Sequence, residues 1–169
     1  GRVVIPEEVR KSLRIREGDS LEIYIENSGQ IVLKKHALIA NDMVEIASKY
    51  AEILAKETGF CVCICDRETV LAVAGATKSD YVAKAISDNV LNVIESREVW
   101  STETDDVHPI LDEEDVVKYK SEIIAPIICD AEAIGAVILF TKKINLAITE
   151  VEYKLVESTA NFLGKHMEL

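Results

Sequence analysis

The sequence predicts an α+β protein of two modules, a small strand-rich module followed by a larger sheet flanked by helices. The 169 residues carry 19 basic and 30 acidic side chains, for a formal charge of −11. Residues 1–36 hold seven basic and six acidic side chains, a net charge of +1, so the remaining residues carry −12. Hydrophobic residues alternate with polar residues in both parts, as in strands, and two segments with helical spacing flank the strands of the second part. The difference in charge between the two parts predicts two modules with different surroundings.

Composition excludes several classes of protein. Hydrophobic residues make up 49% of the chain and charged residues 29%, which excludes a disordered acidic tail. The longest apolar stretches, such as residues 123–129, are far shorter than the roughly 20 residues of a membrane span, so we expect no membrane partner. The four cysteines lack the regular spacing of a disulfide framework, which predicts reduced thiols and a cytoplasmic location. Taken alone, the acidic charge argues against a nucleic-acid partner.

The first module is predicted to contain a short strand, a helix and a hairpin. Residues 3–5 form a β-branched run that Pro6 ends, and Pro6 followed by two glutamates is typical of a helix start. Residues 21–26 alternate as a half-buried strand, residues 27–30 turn, and residues 31–33 return as its partner. A unit of about 36 residues is too small for a self-sufficient core. We therefore expect it to need a second chain, with which it would pair or exchange strands.

A family resemblance sharpens this prediction. The module reads GRVVIPEEVRKSLRIREGDSLEIYIENSGQIVLKK, which resembles the swapped-hairpin DNA-binding domain of AbrB-type transition-state regulators. The resemblance implies that two chains interleave their hairpins into one dimeric β-barrel that binds double-stranded DNA. By position, the family's DNA-contacting arginines correspond to Arg2 and Arg10, with Lys11 where several relatives have arginine, and Arg14 is a further candidate. Lysine lacks the bidentate fork of arginine, so we expect Lys11 to contact phosphate rather than a base.

The start of the chain bears on this module. The family's first strand, with its own basic residues, would precede Gly1, so we expect the chain to be a fragment whose intact module is more basic than +1. Without the resemblance, the basic side chains of the helix would be interpreted as a solvated face. We interpret Arg16, Lys34 and Lys35 as surface charges.

Residues 37–58 are predicted to form a linker helix. Asn41 or Asp42 caps its start and Gly59 ends it. Its apolar residues fall at helical spacing, namely Met43, Ile46, Ala47, Tyr50, Ile53 and Leu54. This spacing favours a helix that faces a core. The alternative, that the helix also pairs with its twin and passes a signal between modules, stays open.

Residues 59–169 are predicted to form a mostly antiparallel sheet flanked by helices. We expect strands at residues 60–65, 70–74, 123–129 and 136–140, and a long connection at residues 98–120 that contains Trp100. A single helix is predicted to begin at Ser79 or Asp80, with an apolar face of Val82, Ala83, Ile86, Val90, Val93 and Ile94. A capping box of Thr149 and Glu152 opens a terminal helix that runs to about Met167. The buried stripe of that helix is predicted to comprise Val151, Leu155, Val156, Thr159, Phe162, Leu163 and Met167.

That order, with the Ala-Ile-Gly-Ala-Val-Ile hairpin, resembles a GAF domain, a small-molecule sensing module. An AbrB-type module followed by a GAF-like module resembles developmental transcription regulators of spore-forming bacteria over essentially the whole chain. The resemblance implies a sequence-specific regulator, activating or repressing, in the cytoplasm of the forespore. It also implies a homotetramer in which the GAF-like domains associate through terminal helices. The GAF-like domain would sense an unidentified small molecule or, with a closed pocket, only assemble, and we expect any cavity to be bordered by Ala72, Ala74, Ala76 and residues 100–119.

The four cysteines are candidates for redox chemistry, metal binding or catalysis. Cys61, Cys63 and Cys65 alternate along one strand, where successive Cα atoms lie about 6.6 Å apart. That spacing is long for adjacent disulfides and unlike a zinc site, so we interpret them as small core side chains, with a redox or metal role beside Cys129 as the alternative. GAF-fold methionine sulfoxide reductases use cysteines near their pocket, so a thiol enzyme is a minor alternative that needs accessible thiols of low pKa. We expect no catalytic residue, no metal and no cofactor.

An antitoxin-like protein is the alternative to a regulator, because AbrB-type folds also serve in toxin neutralisation. Antitoxins usually carry a short flexible tail, whereas the tail of this chain is predicted to be a folded domain of about 130 residues. This difference favours the regulator.

Overall fold

The computed structural model describes residues 2–12, 15, 17, 21–25, 28–35, 41–102, 107–112, 114 and 118–167. The chain divides into two compact units, Gly1–Leu38 and Ile39–Leu169. None of the helices in these ranges is long and apolar enough to cross a membrane.

The first unit consists of a short helix and a hairpin. Helix α1 spans Glu7–Ser12, and strands β1, Leu21–Ile25, and β2, Ile31–Lys35, pair antiparallel. The helix begins as predicted, because the Arg10 N–H donates to the carbonyl of Pro6 at 3.0 Å. The predicted strand at residues 3–5 is not formed. A strand needs a neighbouring backbone for its hydrogen bonds, and no such pairing is made to these residues within the described part of the chain.

The second unit is built on a five-stranded antiparallel sheet. Its strands are β3, Cys61–Asp66; β4, Val70–Ala74; β5, Trp100–Ser101; β6, Ser121–Cys129; and β7, Glu132–Thr141, in the order β4-β3-β7-β6-β5. Asp130 and Ala131, with φ of 46° and 66°, form the tight turn between β6 and β7. Positive φ at both central residues matches the twist of a two-residue hairpin. Strand β7 therefore begins earlier than predicted.

Two long helices cover one face of this sheet. Helix α2 spans Asn41–Thr58 and helix α5 spans Glu150–Met167. As predicted, α2 ends at Gly59, whose φ of 74° lets its N–H donate to the Ala55 carbonyl at 2.9 Å. The core on this side joins the two helices to the sheet through buried residues that include Met43, Ala47, Ala51, Leu54, Val156, Ala160 and Leu163.

The start of α5 confirms the predicted capping box. The Thr149 N–H donates to Glu152 Oε2 at 2.8 Å, and the Val151 N–H donates to Thr149 Oγ1 at 3.2 Å. The predicted buried stripe is wrong at Val151, Leu155 and Phe162, which are exposed. Helix α5 instead packs on the sheet through a face that contains Gly164, where the helix backbone approaches β6 closely.

The opposite face of the sheet is covered by two shorter helices, α3, Lys78–Tyr81, and α4, Asp88–Ser96. The prediction of a single helix here is wrong. Ala83 has a φ of 64°, and its N–H donates to the Val70 carbonyl while the Val70 N–H donates to the Lys84 carbonyl. The backbone between the helices is thus drawn to the edge of β4. Ser87 then caps α4, because its Oγ accepts the Val90 N–H at 3.2 Å.

Candidate nucleic-acid interface and ligand site

Two of the candidate DNA-contacting residues of the first unit, Arg10 and Lys11, lie on helix α1. Arg2, Arg10 and Lys11 are exposed, and Arg14 lies outside the described residues. The ammonium of Lys11 makes an ion pair with Glu7 at 2.8 Å, one helical turn away. In the described part of the chain, no ion pair engages the guanidinium of Arg2 or Arg10. Within that part of the chain, the two arginines are therefore exposed cations without an acidic partner.

The first unit also exposes much of its apolar surface. Ile25 is 79% exposed and Val4 is 89% exposed, and Val3, Ile23 and Ile31 are exposed too. Ile23 and Ile25 were predicted to lie on the buried face of a strand, but both side chains are exposed. Several exposed apolar side chains on so small a unit are typical of a surface that another chain covers.

A second apolar surface lies on the helices of the second unit, and we call it the α2–α5 face. It comprises the exposed side chains Ile53, Val151, Leu155 and Phe162. Tyr50 of α2 and Phe162 of α5 are in ring contact, with centroids 4.9 Å apart. The face is therefore shared by both helices.

The α4 side of the sheet encloses a polar cluster. Tyr81 Oη donates to Glu114 Oε1 at 2.7 Å and lies 2.9 Å from Tyr119 Oη. Glu114 Oε2 accepts the N–H groups of Ile110 and Leu111 at 3.0 and 3.3 Å. Both carboxylate oxygens of Glu114 are thus satisfied, and they hold the long connection against the sheet.

A second carboxylate on this side, Glu122, was not identified from the sequence. It is fully buried on β6, and its Oε2 accepts the His108 N–H at 2.9 Å, whereas Oε1 has no hydrogen-bond partner within the described residues. Burial raises the pKa of Glu122 to about 8, against the lowering effect of the His108 N–H, and Glu114 raises it further. The sequence signal for its burial is its position two residues before Ile124. Both side chains therefore point to the same face of β6, a strand that is covered on both faces.

A groove lies on the surface beside this cluster. It has a volume of about 330 Å³ and is lined by Asn89, Asn92, Val93, Ser96, Glu98, Val99, Trp100 and His108. The rings of Trp100 and His108 stack with centroids 4.0 Å apart. His108 thus connects the groove, which its ring lines, to Glu122, which its backbone contacts.

The prediction of which residues border a cavity in the second unit is partly wrong. Ala72 and Ala74 pack on the α2 side of the sheet, whereas Ile110 and Tyr119 of the long connection belong to the α4 side. Ala76 returns to the α4 side because the chain turns at Gly75, with φ 76°. Because side chains alternate along β4, Ala72 and Ala74 lie on the face of the sheet opposite to the long connection.

Cys61, Cys63 and Cys65 face the α4 side together, as the alternation predicted, whereas Cys129 packs on the α2 side. Cys63 and Cys65 are buried, Cys61 is half-buried, and none of the four cysteines is in a disulfide. Burial raises the pKa of Cys65 to about 12 and raises the pKa of Cys61 and Cys63 as well. A reactive thiol needs the opposite shift. Among the described residues, no group of three or more His, Cys, Asp or Glu side chains is arranged to hold a metal.

Sequence comparisons identify relatives for both units. The family described as stage V sporulation protein T C-terminal, transcription factor, matches residues 42–168. The family described as antidote-toxin recognition MazE, bacterial antitoxin, matches residues 1–39. The chain is 39% identical to stage V sporulation protein T from Bacillus subtilis (strain 168) over 171 residues, which cover 99% of the chain and 92% of that protein.

Solved structures resemble the fold at low identity. The GAF domain of a phosphoenolpyruvate-protein phosphotransferase from Acinetobacter is 12% identical with a TM-score of 0.62, covering 74% of the chain and 81% of that structure. The cofactor-binding GAF domain of the nutrient sensor CodY from Clostridium difficile is 14% identical with a TM-score of 0.56, covering 75% and 92%. A type II free methionine-R-sulfoxide reductase from Thermoplasma acidophilum is 15% identical with a TM-score of 0.58, covering 75% and 95%. These similarities confirm the predicted GAF-like fold and show the fold alone.

Proposed function

Since the chain belongs to the stage V sporulation protein T family of transcription factors, we propose that its first unit binds double-stranded DNA sequence-specifically through Arg2, Arg10, Lys11 and Arg14. The observation that carries the proposal is the exposed basic surface of α1, on which Arg10 has no ion pair within the described residues. The acidic second unit keeps off the duplex, because it carries twelve more acidic than basic side chains beyond residue 36. The sites of action are sporulation genes, in the cytoplasm of the forespore.

The proposed organisation has three parts. Residues 1–36 form the DNA-binding domain, residues 37–58 the linker helix, and residues 59–169 the GAF-like domain. The first domain works as a dimer, in which a second copy covers the exposed side chains of Val4, Ile23 and Ile25. Strand exchange between copies supports this arrangement, because it would also provide the backbone partner that residues 3–5 need.

Removal of the Arg10 side chain tests the DNA interface. If Arg10 reads a base, Arg10→Ala weakens binding of the full-length protein by about 1–3 kcal/mol, or roughly 5- to 150-fold. The measurement is a fluorescence anisotropy titration of a duplex that the wild-type protein has selected from a random pool. Arg97→Asn is the matched control, because it removes an exposed arginine from the second unit and asparagine tolerates the φ of 61° at that position. Equal affinities of Arg10→Ala and wild-type protein would remove Arg10 from the interface.

The second unit adds a further level of assembly. The α2–α5 face is apolar and exposed, and its burial between two dimers would produce a homotetramer through the terminal helices. Ile53 is 55% exposed and Val151 is 64% exposed, so the combined variant Ile53→Asp/Val151→Asp retains the core of the unit. We expect light scattering after size exclusion to show a tetramer for the wild-type protein and a dimer for this variant.

The control for assembly is Ile144→Asp. Ile144 is 86% exposed and belongs to neither helix, so its substitution adds one charge at an exposed apolar side chain that is not part of the α2–α5 face. It leaves the tetramer intact. A double variant with wild-type mass would exclude this face as the tetramer interface.

The second unit acts as a sensory module and not as an enzyme. The raised pKa of its cysteines supports this assignment, because thiol catalysis requires a thiolate near neutral pH. Its role is to bind a small molecule and to transmit that event through α2 to the DNA-binding dimer.

An antitoxin-like function is the second candidate. The observation that favours it is the match of residues 1–39 to the antitoxin family. The folded unit of residues 39–169 opposes it, because toxin neutralisation usually relies on a flexible tail. Purification of the full-length protein from its native cells with a stoichiometric toxin would favour this candidate over the regulator.

A further inference from the structure

Four lysines gather at one end of the sheet in the second unit, and we call them the lysine patch. They are all exposed, namely Lys118, Lys120, Lys142 and Lys143. The Lys120 N–H donates to the carbonyl of Thr141 at 2.8 Å, beside the pair that Ser121 of β6 makes with Thr141 of β7. Lys142 and Lys143 follow Thr141 directly, and the Lys143 N–H donates to Thr141 Oγ1 at 3.1 Å. Backbone pairing of β6 with β7 thus brings these cations together.

The ammonium group of Lys142 is held in a defined place. It lies over the rings of Tyr81 and Tyr119, 5.9 and 5.7 Å from their centroids. Both rings belong to the α4 side of the sheet, so this ammonium points to that side. Burial raises the pKa of the Cys61 thiol, and the ammonium groups of Lys142 and Lys143 oppose that rise, which places both near Cys61. These contacts order the Lys142 side chain before any partner binds, which lowers the entropic cost of binding.

The grouping of these lysines is unfavourable for the unit by itself. Beyond residue 36 the chain carries twelve more acidic than basic side chains, so carboxylates that could pair with lysine are abundant. Lys49, Lys78 and Lys154 each pair with a glutamate, at 2.6, 3.7 and 2.8 Å. Within the described residues, the lysines of the patch make no ion pair. Lys120 and Lys142 instead extend neighbouring strands, where like charges repel, and an anion from outside the unit would offset this repulsion.

The dimensions of the patch favour an acidic protein segment over a DNA duplex. Neighbouring strands lie about 5 Å apart and residues about 3.3 Å apart along them, so the patch extends over roughly 10–15 Å. Acids border it, because Asp80 precedes Tyr81 and Glu114 accepts the Tyr81 hydroxyl at 2.7 Å. A duplex carries one charge per about 1.7 Å of its axis, so its phosphates beyond the patch would meet these acids. An extended peptide fits better, because its alternate side chains lie about 6.6 Å apart on one face.

We propose that the lysine patch binds an extended acidic segment of another protein, whose carboxylates pair with Lys120, Lys142 and Lys143. The patch lies on the α4 side, whereas α2 and α5 cover the opposite side of the sheet, so the proposed tetramer leaves the patch accessible. Through it the second unit holds a protein partner while the first unit holds DNA. The inference goes beyond DNA binding and small-molecule sensing and depends on neither.

Binding of a defined acidic peptide tests the patch. The probe is a fluorescein-labelled decapeptide of alternating glutamate and serine, and the same peptide with glutamine in place of glutamate is its neutral counterpart. The full-length protein is first saturated with its unlabelled selected duplex, so that the cations of the first unit are occupied. We expect fluorescence anisotropy at about 50 mM NaCl to give a Kd below about 1 mM for the acidic peptide, and at least about tenfold weaker binding of the neutral one. No saturation by the acidic peptide, or equal binding of the two peptides, overturns the proposal.

Two double variants with the same change of net charge assign the binding. Lys120→Gln/Lys142→Gln removes two cations of the patch and weakens binding of the acidic peptide at least about fivefold. The matched control, Lys154→Gln/Lys165→Gln, removes two exposed lysines of α5 and leaves the affinity within about twofold of wild type. Equal weakening by both variants would assign the binding to overall charge and overturn the proposal.

A third variant separates charge from folding. Lys120→Arg/Lys142→Arg keeps both charges and the attraction to the tyrosine rings, so it should retain peptide affinity within about twofold. Loss of affinity in this variant equal to that of Lys120→Gln/Lys142→Gln overturns the proposal. Circular dichroism checks that both variants are folded.

Affinity for the selected duplex, measured on the same variants, separates this inference from the proposed function. Lys120→Gln/Lys142→Gln should bind the duplex as the wild type does. A loss of at least about fivefold would make the patch a DNA contact and overturn the proposal. Failure of the wild-type protein to bind DNA overturns the proposed function alone, because the peptide titrations are then compared without the duplex.

Discussion

Replacement of Gly164 with alanine is expected to destabilise the second unit by about 2 kcal/mol, and to loosen α5 from the sheet. A Cβ atom at residue 164 would lie 2.0 Å from the carbonyl oxygen of Ile128 and 2.9 Å from its carbonyl carbon. Both neighbours are backbone atoms of β6, so the helix itself has to move. Forced displacement in a packed core costs about 1–3 kcal/mol or more, which outweighs the gain of about 1 kcal/mol that alanine brings to a helix.

Urea unfolding of the full-length protein measures this effect. Asn161→Ala is the matched control, because Asn161 is exposed in the same helix and alanine there only improves helix propensity. The unfolding midpoint of the second unit should fall for Gly164→Ala and stay or rise slightly for Asn161→Ala. Similar midpoints for the two variants would contradict the close packing of α5 on β6. Because α5 contributes to the α2–α5 face, we also expect Gly164→Ala to abolish the proposed tetramer.

The stability of the second unit is expected to fall as pH rises from about 5 to 8 because of Glu122. The pKa of this carboxyl is about 8 in the folded protein and near 4.5 in the unfolded chain. In this window the folded state keeps the proton that the unfolded state releases, so the free energy of unfolding decreases with pH. The contribution is full below pH 4.5 and is lost by the time the pH passes 8. At about 1.4 kcal/mol per pKa unit, the loss is on the order of 3–5 kcal/mol.

Glu122→Gln isolates this effect. The variant cannot lose a proton, so the difference in unfolding free energy between variant and wild type should change in favour of the variant between pH 5 and pH 8. Exposed acids such as Glu152, whose pKa is lowered by its hydrogen bond to Thr149, titrate equally in both proteins and cancel. Glu132→Gln, at an exposed carboxyl, should follow the wild-type profile. Parallel profiles of Glu122→Gln and wild type would show that Glu122 is charged in the folded protein.

Local signals in the sequence predicted much of the fold. The capping box of Thr149 and Glu152 and the end of α2 at Gly59 are where the pattern places them, because each depends on a few adjacent residues. The hairpins were found in the same way, from alternation. The family resemblance then identified the GAF-like fold, which these local signals alone did not distinguish from other α+β arrangements.

Tertiary contacts explain the features that sequence patterns did not reveal. The helical spacing from Val82 to Ile94 is real, but pairing of the intervening backbone with Val70 breaks the helix. Phe162 and Leu155 were predicted to be core residues, because hydrophobicity alone does not distinguish a helix face that packs on the sheet from an exposed apolar face. Glu122 was missed because a buried carboxylate is recognised from its surroundings. The role of Arg14 stays a prediction from the resemblance.

The salt dependence of DNA binding tests the central claim, that the first unit contacts DNA and the acidic second unit does not. Affinity of the full-length protein for its selected duplex should fall linearly with the logarithm of salt concentration, with a slope of about −0.9 per phosphate contact. Lys11→Ala, which removes the predicted phosphate contact, should reduce the size of the slope by about 2 in a dimer, one contact from each copy. The double variant Lys142→Ala/Lys143→Ala, which removes exposed cations from the second unit, should leave the slope unchanged. An unchanged slope for Lys11→Ala, together with a reduced slope for the Lys142/Lys143 variant, would contradict the account.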